Sequence, residues 1–468
     1  MVEAEPAPGE TPERKVRDED GAIDARFLEQ VSQAVLLSDV TALRKLVAEL
    51  HEADLGDLIE ALDQDERPKL ISLLGNDFDF AALTEVDDAV REEILDELSP
   101  ETVAEGVRDL DTDDAVYILE DLDEADKREI LDKLTPAERT VLQQGLDYPG
   151  GSAGRRMQPE VIAVPPFWTV GHTIDFLRET EDLPERFFEI FVTDPSHHFV
   201  GTVPLDRLLR SKRPVSVVDL VEDDRRVVQA TDDVEDVARM FQRYNLVAAP
   251  VIDAAGRLVG VMTIDDIVDV IEEAGDDDVK QLAGVDAEEE ISDSVRQVAL
   301  GRFRWRFISL VAAFISASVM ALFEEQLGKL VALAVLAPIV ASQGGNAATQ
   351  TMTVAVRALG TGELGGWNMA RFFRREMIVG VLNGVAFALI TALVAGFWFG
   401  NPTLGVVIGL AMVATLIIAA LAGVAVPLVL DKAGIEAAIS SGTFVTTITD
   451  VVGFFSFLGI ATLLLRLS

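Results

Sequence analysis

The sequence predicts a multidomain protein with an α-superhelical N domain, a pair of α/β domains, a connecting helix and an all-α transmembrane domain of five helices. Three observations lead to this fold class. The chain of 468 residues is 25% charged and yet has a mean hydropathy of +0.27, so the two characters must be segregated. A twelve-residue repeat runs through the first part of the chain. Five long apolar segments fill the last part.

The charge is divided unevenly between the two parts. From Gly301 onward the sequence has 7 acidic and 10 basic residues. Subtracting these from the totals of 80 and 39 leaves 73 acidic and 29 basic residues before it, a net charge of −44. This excess of acid argues against nucleic acid as a partner, because phosphates need Lys and Arg. The same excess of acid suits a divalent cation as a partner. The alternative interpretation is the general acidity of proteins from a salt-loving organism.

The chain has no cysteine, so neither a disulfide nor a thiolate metal site can form. Residues 1–24 begin with an acidic, Pro-containing stretch that lacks the apolar core of a signal peptide. We interpret them as a disordered acidic tail.

Residues 25–147 are predicted to form the α-superhelical N domain. The apolar residues that recur every twelve positions are Leu50, Leu62, Leu74, Val86, Leu98, Leu110, Leu122, Leu134 and Leu146. Each unit is a helix of about two turns, too short to be stable alone in water, so stacking must bury the repeated residue. Capping boxes are expected where an N-cap residue is followed three positions later by an acid, at Asp63, Asp111, Asp123 and Thr135.

Residues 155–216 and 217–275 alternate apolar strands with helices, as two copies of one α/β unit would. The second copy has the sequence PVID, a turn at Gly256 and then GRLVGVMTIDD. This order resembles a CBS domain. Residues 199–206 occupy the matching place in the first copy, and CBS units usually pair.

CBS pairs often bind adenine nucleotides through a Thr or Ser and an Asp after the last strand. The resemblance places Thr263 and Asp266 in these roles, so an adenine nucleotide is one partner to consider. The first copy has Pro204 and Arg207 at the matching positions, which argues against it.

The helix after that strand carries five acids that are candidate cation ligands. They are Asp265, Asp266, Asp269, Glu272 and Glu273. Carboxylates at i, i+4 and i+7 or i+8 share a helix face and repel each other unless a cation lies between them. A hard divalent ion with oxygen ligands would fit this face, and a merely solvated acidic face is the alternative.

Residues 276–300 are predicted to be a connecting helix, and residues 301–468 the transmembrane domain. Its five spans each offer at least 17 uncharged residues, which is enough to cross or nearly cross a bilayer. They are approximately Trp305–Glu324, Leu330–Val356, Met377–Phe399, Leu404–Leu430 and Ala437–Leu465. Arginines cluster before the first span and between the second and third. The positive-inside rule therefore places the N-terminal domains in the cytoplasm and the C-terminus outside.

The second span contains a motif with Pro338, Gly344, Gly345, Asn346 and Gln350. Pro and Gly-Gly in mid-span are expected to break the helix and free backbone carbonyls, which only protein or a wet cavity can satisfy. Carbonyl and amide oxygens suit a hydrated hard cation. The alternative is a seam of small residues for helix packing.

The last span contains Asp450, the only charge between Ala437 and Leu465, shortly after Thr446 and Thr447. A carboxylate near mid-bilayer costs about 2.5–3.5 kcal/mol on insertion scales, so it normally faces a bundle interior or a water-filled path. A cation site in a pore is the functional interpretation, and an Asp that only joins helices is the alternative.

The whole chain resembles the MgtE family of magnesium channels and transporters. The resemblance rests on Tyr148-Pro149 with Ser152–Arg155 and Met157, the CBS pair, the motif of the second span and Thr446–Asp450. It implies a homodimer, a connecting "plug" helix, Asp450 as the pore acid and closure by cytosolic Mg²⁺. Two positions depart from the family: Ala348 stands where Gly is usual, and Thr443 where Pro is usual.

The expected function is therefore a Mg²⁺-selective channel in the plasma membrane that moves the ion down its electrochemical gradient. Binding of Mg²⁺ to the acidic cytosolic domains would close it. No nucleotide-hydrolysis loop of the GxxxxGK[ST] kind is present, which argues against a pump, and the protein is not expected to be an enzyme. The alternatives are transport of Co²⁺, Mn²⁺ or Ca²⁺, and a membrane-anchored CBS sensor without transport.

Overall fold

The structure is a computed structural model that divides into two compact units, Met1–Glu272 and Glu273–Ser468. The residues that it describes are 15–48, 50–120, 122–181, 183–184, 186–222, 226–287, 289, 293–362, 364, 367–433 and 437–465. Each unit is considered by itself below.

The first part of the first unit is a stack of short helices. These are α1 (Ala25–Leu36), α2 (Val40–Val47), α3 (Glu52–Ala61), α4 (Arg67–Leu74), α5 (Asp88–Glu97), α6 (Pro100–Arg108), α7 (Thr112–Glu120), α8 (Glu124–Leu131) and α9 (Pro136–Asp147). Six residues of the twelve-residue repeat are buried in one core, and the others pack against it. The predicted helical N domain with a buried repeat is confirmed.

The predicted capping boxes are only partly correct. Thr135 and Glu138 form one at the start of α9. Asp63 does not cap a helix, because α4 begins four residues later, at Arg67. The acid expected to complete that box, Glu66, instead accepts a hydrogen bond from Ser32 Oγ at 2.7 Å. Asp123 precedes α8 without a side-chain capping bond.

Residues 15–24 differ from the expected disordered tail. Arg17 forms ion pairs with Asp54 at 2.6 Å and with Asp57 at 2.5 Å, and both partners lie on α3. Val16 and Ile23 pack against the core of the helical stack. Residues 1–14 of the predicted tail lie outside the described part of the chain.

The second part of the first unit contains two small sheets of the same design. Its elements are α10 (Ala153–Arg156), β1 (Ala163–Val164), α11 (Val170–Glu179), β2 (Glu189–Thr193), β3 (Phe199–Pro204), α12 (Leu205–Arg210), β4 (Val228–Gln229), α13 (Val234–Tyr244), β5 (Ala248–Ile252) and β6 (Leu258–Thr263). In each sheet the first strand pairs parallel and the third antiparallel to the middle one. Both antiparallel pairs have an irregularity near the end of the middle strand. The predicted duplication of one α/β unit is confirmed.

The backbone of the short helix α10 is held by the second α/β domain. Ala153 N–H donates to Asp232 O, and Gly154 N–H donates to Ala230 O, both at 2.8 Å. Gly154 fits here because a Cβ at this position would lie 2.8 Å from Ala230 O.

The side chains of α10 reach the helical stack. Arg155 and Arg156 pair with Glu120 of α7, at 3.8 and 3.4 Å. The ring of Tyr117, also on α7, lies between the guanidinium groups of Arg91 and Arg156, each 4.3 Å from the ring centroid. The interaction between a guanidinium group and the aromatic ring on which it stacks is attractive. Helix α10 is therefore fixed to both parts of the first unit.

The segment 276–300 differs from the expected connecting helix. Helix α14 runs without interruption over Ile264–Leu282, so it includes the last helix of the CBS pair. It ends where Gly284 adopts a φ of 75°, a left-handed conformation that glycine tolerates. The next helix, α15 (Val295–Ala321), begins at Ser294 with a capping box to Gln297 and continues as the first span.

The second unit is a helical bundle of α15 with α16 (Glu324–Lys329), α17 (Val331–Gly360), α18 (Trp367–Trp398), α19 (Pro402–Lys432) and α20 (Ala437–Leu464). Five of its helices are long and apolar enough to cross a membrane, as predicted. Helix α19 is central, since it packs against α17, α18 and α20. The fold class predicted from the sequence is confirmed.

Helix α17 differs from the broken second span that was expected. It is continuous over 30 residues, through Pro338 and through Gly344-Gly345, so the second span is not broken. Buried residues follow one another along one side of α17, and Gly344 is among them. The packing alternative therefore describes Gly344 better than the expectation of freed carbonyls.

Candidate functional site

The motif residues of the predicted pore lie on two neighbouring helices, α17 and α20. A Cβ built on Gly345 of α17 would lie 4.0 Å from Thr446 Cγ2 of α20, so the two motifs meet. Asn346 and Gln350 are exposed on α17, and Asp450 is partly buried on α20. The bundle thus brings an amide-bearing helix next to the one that carries the carboxylate.

The threonines around Asp450 have their hydroxyl protons engaged. Thr446 donates to Gly442 O at 2.9 Å, Thr447 to Thr443 O at 2.6 Å, and Thr449 to Val445 O at 3.1 Å. A hydroxyl that donates its proton still has lone pairs to offer. Oxygen lone pairs are the ligands that hydrated hard cations prefer.

Sequence reasoning missed Thr415, which lies behind both motifs. It is fully buried on α19, and its Cγ2 atom would lie 2.5 Å from a Cβ at Gly344. Only the absence of a side chain at Gly344 leaves room for this methyl group. A polar residue inside an apolar span was the available signal in the sequence.

Sequence reasoning also missed Glu376, because it started the third span one residue later. Helix α18 begins at Trp367, and Glu376 is buried on it with 8% of its surface exposed. Its carboxylate accepts hydrogen bonds from Thr351 of α17 at 3.2 Å and from Arg375 at 2.8 Å. This acid is thus a paired, buried group that joins α17 and α18.

A second candidate site lies in the first unit, where acids of α7 face the start of α14. Burial raises the pKa of Asp113 well above its ordinary value, and the charge of Asp266 raises it further. Burial and Asp266 also raise the pKa of Asp114 to about 7. The Oδ1 atom of Asp113 is shielded from solvent and has no hydrogen-bond partner among the described residues. Ionised together, these carboxylates destabilise each other.

The predicted acids of α14 take different places around this cluster. Burial raises the pKa of Asp266 to about 6, although its carboxylate accepts a hydrogen bond from Thr263 Oγ1 at 2.7 Å. Burial and Glu272 raise the pKa of Asp269, and burial followed by the charge of Asp269 raises the pKa of Glu85 in the helical stack. Asp265 and Glu272 are exposed, and Glu273 belongs to the second unit.

The acids of this cluster are spaced more widely than the ligands of a metal ion. In the described part of the chain, no three His, Asp or Glu side chains are close enough together to hold a metal ion. The acids nevertheless come from both parts of the first unit, and burial first, with the charges of neighbouring acids second, raises the pKa values of Asp113 and Asp266. A divalent cation would relieve the repulsion between these charges, because each carboxylate supplies hard oxygen ligands.

Of the two residues predicted to bind a nucleotide, Thr263 lines a narrow cleft between the two α/β domains, and Asp266 is not among the residues that line it. The cleft has a volume of about 20 Å³ and is lined by Glu160, Arg186, Glu189 and Thr263 among others. Burial and Glu222 raise the pKa of Glu189 to about 7. Two carboxylates and one guanidinium offer little to a polyphosphate, so adenine nucleotide binding through Thr263 and Asp266 stays a prediction.

Three families match the chain in the order of its domains. The MgtE intracellular N domain matches residues 50–151, the CBS domain residues 217–273, and the divalent cation transporter family MgtE residues 337–460.

Similar proteins match over nearly the full length. The magnesium transporter MgtE of Enterococcus faecalis is 32% identical, over 90% of this chain and 94% of that protein. The magnesium transporter MgtE of Thermus thermophilus is 30% identical, over 95% of this chain and all of that protein.

A solved structure of the cytosolic domain of the Mg²⁺ channel MgtE in complex with ATP is 28% identical, with a TM-score of 0.42. It covers 52% of this chain and 99% of that one. The motifs, the domain order, the family matches and the two transporters of similar sequence agree, and the chain belongs to the MgtE family of divalent cation transporters, multi-pass membrane proteins.

Proposed function

We propose that the protein is a Mg²⁺-selective channel that moves the ion down its electrochemical gradient and is closed by Mg²⁺ bound to its acidic cytosolic domains. The observation that supports conduction most directly is Asp450, a carboxylate inside an apolar span and next to the motif of α17. The names of the relatives support Mg²⁺ as the transported ion.

Conduction in this proposal uses outer-sphere contacts. Mg²⁺ sheds its water reluctantly and keeps several water ligands in most protein sites. Asp450 would supply the fixed charge, while Asn346 and the threonine hydroxyls before Asp450 would bind the water shell. Because the ion keeps its water, no cage of several carboxylates is needed.

The charges that flank the spans support the topology in this proposal. Arginines lie before the first span and between the second and third, which puts the first unit in the cytoplasm and the C-terminus outside. We further propose a homodimer with the pore near its two-fold axis, since five spans without an inverted repeat do not form a two-fold transporter within one chain.

Closure in this proposal depends on the acidic cluster of the first unit. Without divalent cations, Asp113 and Asp114 repel Asp266, which favours separation of the helical stack from the CBS pair. Bound Mg²⁺ would bridge them and favour the compact arrangement. A ligand shifts such an equilibrium only by its difference in affinity for the two states.

The pore is tested by Mg²⁺ uptake into liposomes that contain the purified protein. Asp450→Ala should reduce the Mg²⁺ flux to near the background of empty liposomes, because the fixed charge on the path is lost. Asp450→Asn keeps the shape and should also be impaired. Wild-type flux through Asp450→Ala would show that the pore assignment is wrong, and faster uptake of Co²⁺, Mn²⁺ or Ca²⁺ than of Mg²⁺ would reject the selectivity.

Closure is tested with three of the acids of α14. Neutralising Asp265, Asp269 and Glu272 together should leave flux at low internal Mg²⁺ unchanged and raise the internal Mg²⁺ needed for closure. Protease digestion of the wild type with and without Mg²⁺ reports compaction directly. Identical digestion patterns, with the triple variant still closing normally, would reject the proposed Mg²⁺ sensor. The acidity of the first unit would then be explained by the salinity of the organism's environment.

A further inference from the structure

Thr415 fills a gap that two glycines leave between the helices of the proposed pore. Its Cγ2 atom would lie 2.5 Å from a Cβ at Gly344 of α17 and 3.6 Å from a Cβ at Gly453 of α20. Non-bonded carbon atoms essentially never come within 2.5 Å of a Cβ atom. This methyl group and a side chain at position 344 therefore exclude each other. The helix that carries Asn346 and the helix that carries Asp450 therefore rest against one residue of α19.

The hydroxyl group of Thr415 makes no comparable contribution. Its Oγ1 atom is buried and has no hydrogen-bond partner in the described part of the chain. Hydroxyls elsewhere in the bundle donate to the carbonyl four residues earlier, as Ser316 does to Ala312 O and Thr462 to Leu458 O. The close contact of Thr415 with α17 is thus made by its methyl group and not by its hydroxyl group.

The same contact is close to the pore acid. A Cβ at Gly344 would lie 3.5 Å from the Cβ of Thr449, which is fully buried and directly precedes Asp450. Gly344 is thus placed against both Thr415 and Thr449. A shift of α17 here would change the distance between Asn346 and Asp450.

We infer that Thr415 is a positioning residue of the pore, whose methyl group, seated in the space at Gly344, sets the distance between α17 and α20. This inference rests on the proposed function, because it assumes that Asn346 and Asp450 line the ion path. It assigns Gly344 a partner on α19, and it gives a glycine in an unbroken helix a role in the proposed pore.

A double-mutant cycle tests the contact. Gly344→Ala should lower the ratio of Mg²⁺ to Ca²⁺ uptake on the order of tenfold, as small displacements of positioned groups do. Thr415→Ser removes the Cγ2 atom that would collide with the new Cβ. The double variant should therefore return to within about twofold of the wild-type ratio, the scatter of independent sites. Thr415→Val, which keeps the methyl group, should keep the ratio.

The controls separate positioning from folding. Gly459→Ala makes the same change on α20 in open space, with no atom within 4 Å, and should leave the ratio unchanged. The thermal unfolding midpoint is measured for every variant. Recovery of both the ratio and the midpoint in the double variant supports the inference, while recovery of the midpoint alone, or of neither, overturns it. If the wild type takes up no Mg²⁺, the proposed function fails first, and this inference fails with it.

Discussion

Asp113 is a residue whose surroundings oppose its charge. Its Oδ1 atom is buried without a partner among the described residues, and Asp266 faces it across the first unit. Leaving a buried acceptor unsatisfied is costly, and an ionised one costs more. An acid in such a place is stable only when it is protonated or when a cation is present. Asp113 is therefore the residue at which metal and compaction should be most tightly coupled.

Asp113→Asn should uncouple Mg²⁺ binding from compaction of the first unit. Without Mg²⁺ the variant should resist protease better than the wild type, because the repulsion of Asp266 is gone. The further protection given by Mg²⁺ should be smaller, since one ligand is lost. The matched control is Asp96→Asn, which changes an exposed acid of α5 and should leave protection as in the wild type. Equal protease sensitivity of Asp113→Asn and wild type at every Mg²⁺ concentration would contradict the assignment.

Single residues also show the limit of sequence analysis. Asp450 and the acids of α14 could be found because charges stand out in apolar or periodic surroundings. Thr415 stood out in the sequence only as a polar residue inside an apolar span, because its importance comes from Gly344, which is 71 residues away in the chain and adjacent only in the fold. Asp113 looked like any other acid of the helical stack until Asp266 was placed opposite it.

At the scale of elements, glycines determine how closely the spans pack. A Cβ at Gly405 of α19 would lie 2.4 Å from Ala392 O, an atom of the α18 backbone that cannot move aside alone. Close backbone approach at small residues is the usual means by which transmembrane helices associate.

Gly405→Ala should therefore destabilise the bundle by about 1–3 kcal/mol, the usual cost of overpacking. The thermal unfolding midpoint of the purified protein in detergent should fall. Gly459→Ala, with nothing within 4 Å, should leave the midpoint unchanged or raise it slightly, since alanine favours helix over glycine. A midpoint for Gly405→Ala equal to that of Gly459→Ala would show that α18 and α19 do not pack as described.

The elements themselves were predictable to different degrees. The twelve-residue repeat and the apolar spans have strong periodicity or length, and both are present in the structure. The break expected in α17 is absent: the helix continues through Pro338, and Gly344 packs closely against a neighbouring helix. The connecting segment was predicted as one helix because its composition is helical throughout. A single positive φ at Gly284 ends α14, and composition does not reveal it.

At the scale of the whole molecule, the acids make the first unit sensitive to pH. Burial and neighbouring acids raise the pKa of Asp114 to about 7 and that of Asp266 to about 6, from a usual 3.8. A carboxyl group whose pKa is raised in the compact state stabilises that state while it is protonated. This stabilisation is complete below about pH 3.8 and is lost as the pH rises through 6 to 7.

Without divalent cations, the compact arrangement should therefore weaken between pH 5 and pH 8, and saturating Mg²⁺ should remove most of this dependence. Binding of Mg²⁺ near pH 6 should also release protons, because the metal needs ionised carboxylates. Calorimetry in two buffers of different ionisation enthalpy measures the protons released, and limited proteolysis measures compaction. Protease sensitivity that is constant from pH 5 to pH 8 without Mg²⁺ would contradict this account.

Helix α10 bounds how far the two parts of the first unit can separate. Its backbone is bonded to the second α/β domain, while Arg156 stacks on Tyr117 and pairs with Glu120 of α7. The helical stack would then pivot about α10 when its acids repel those of α14. Because α10 tethers the two parts, their acids stay at a high effective concentration relative to each other. The metal would therefore bridge two surfaces that are already held close together. Signalling by this unit would thus be unimolecular, and its speed would be independent of how much of the protein the membrane contains.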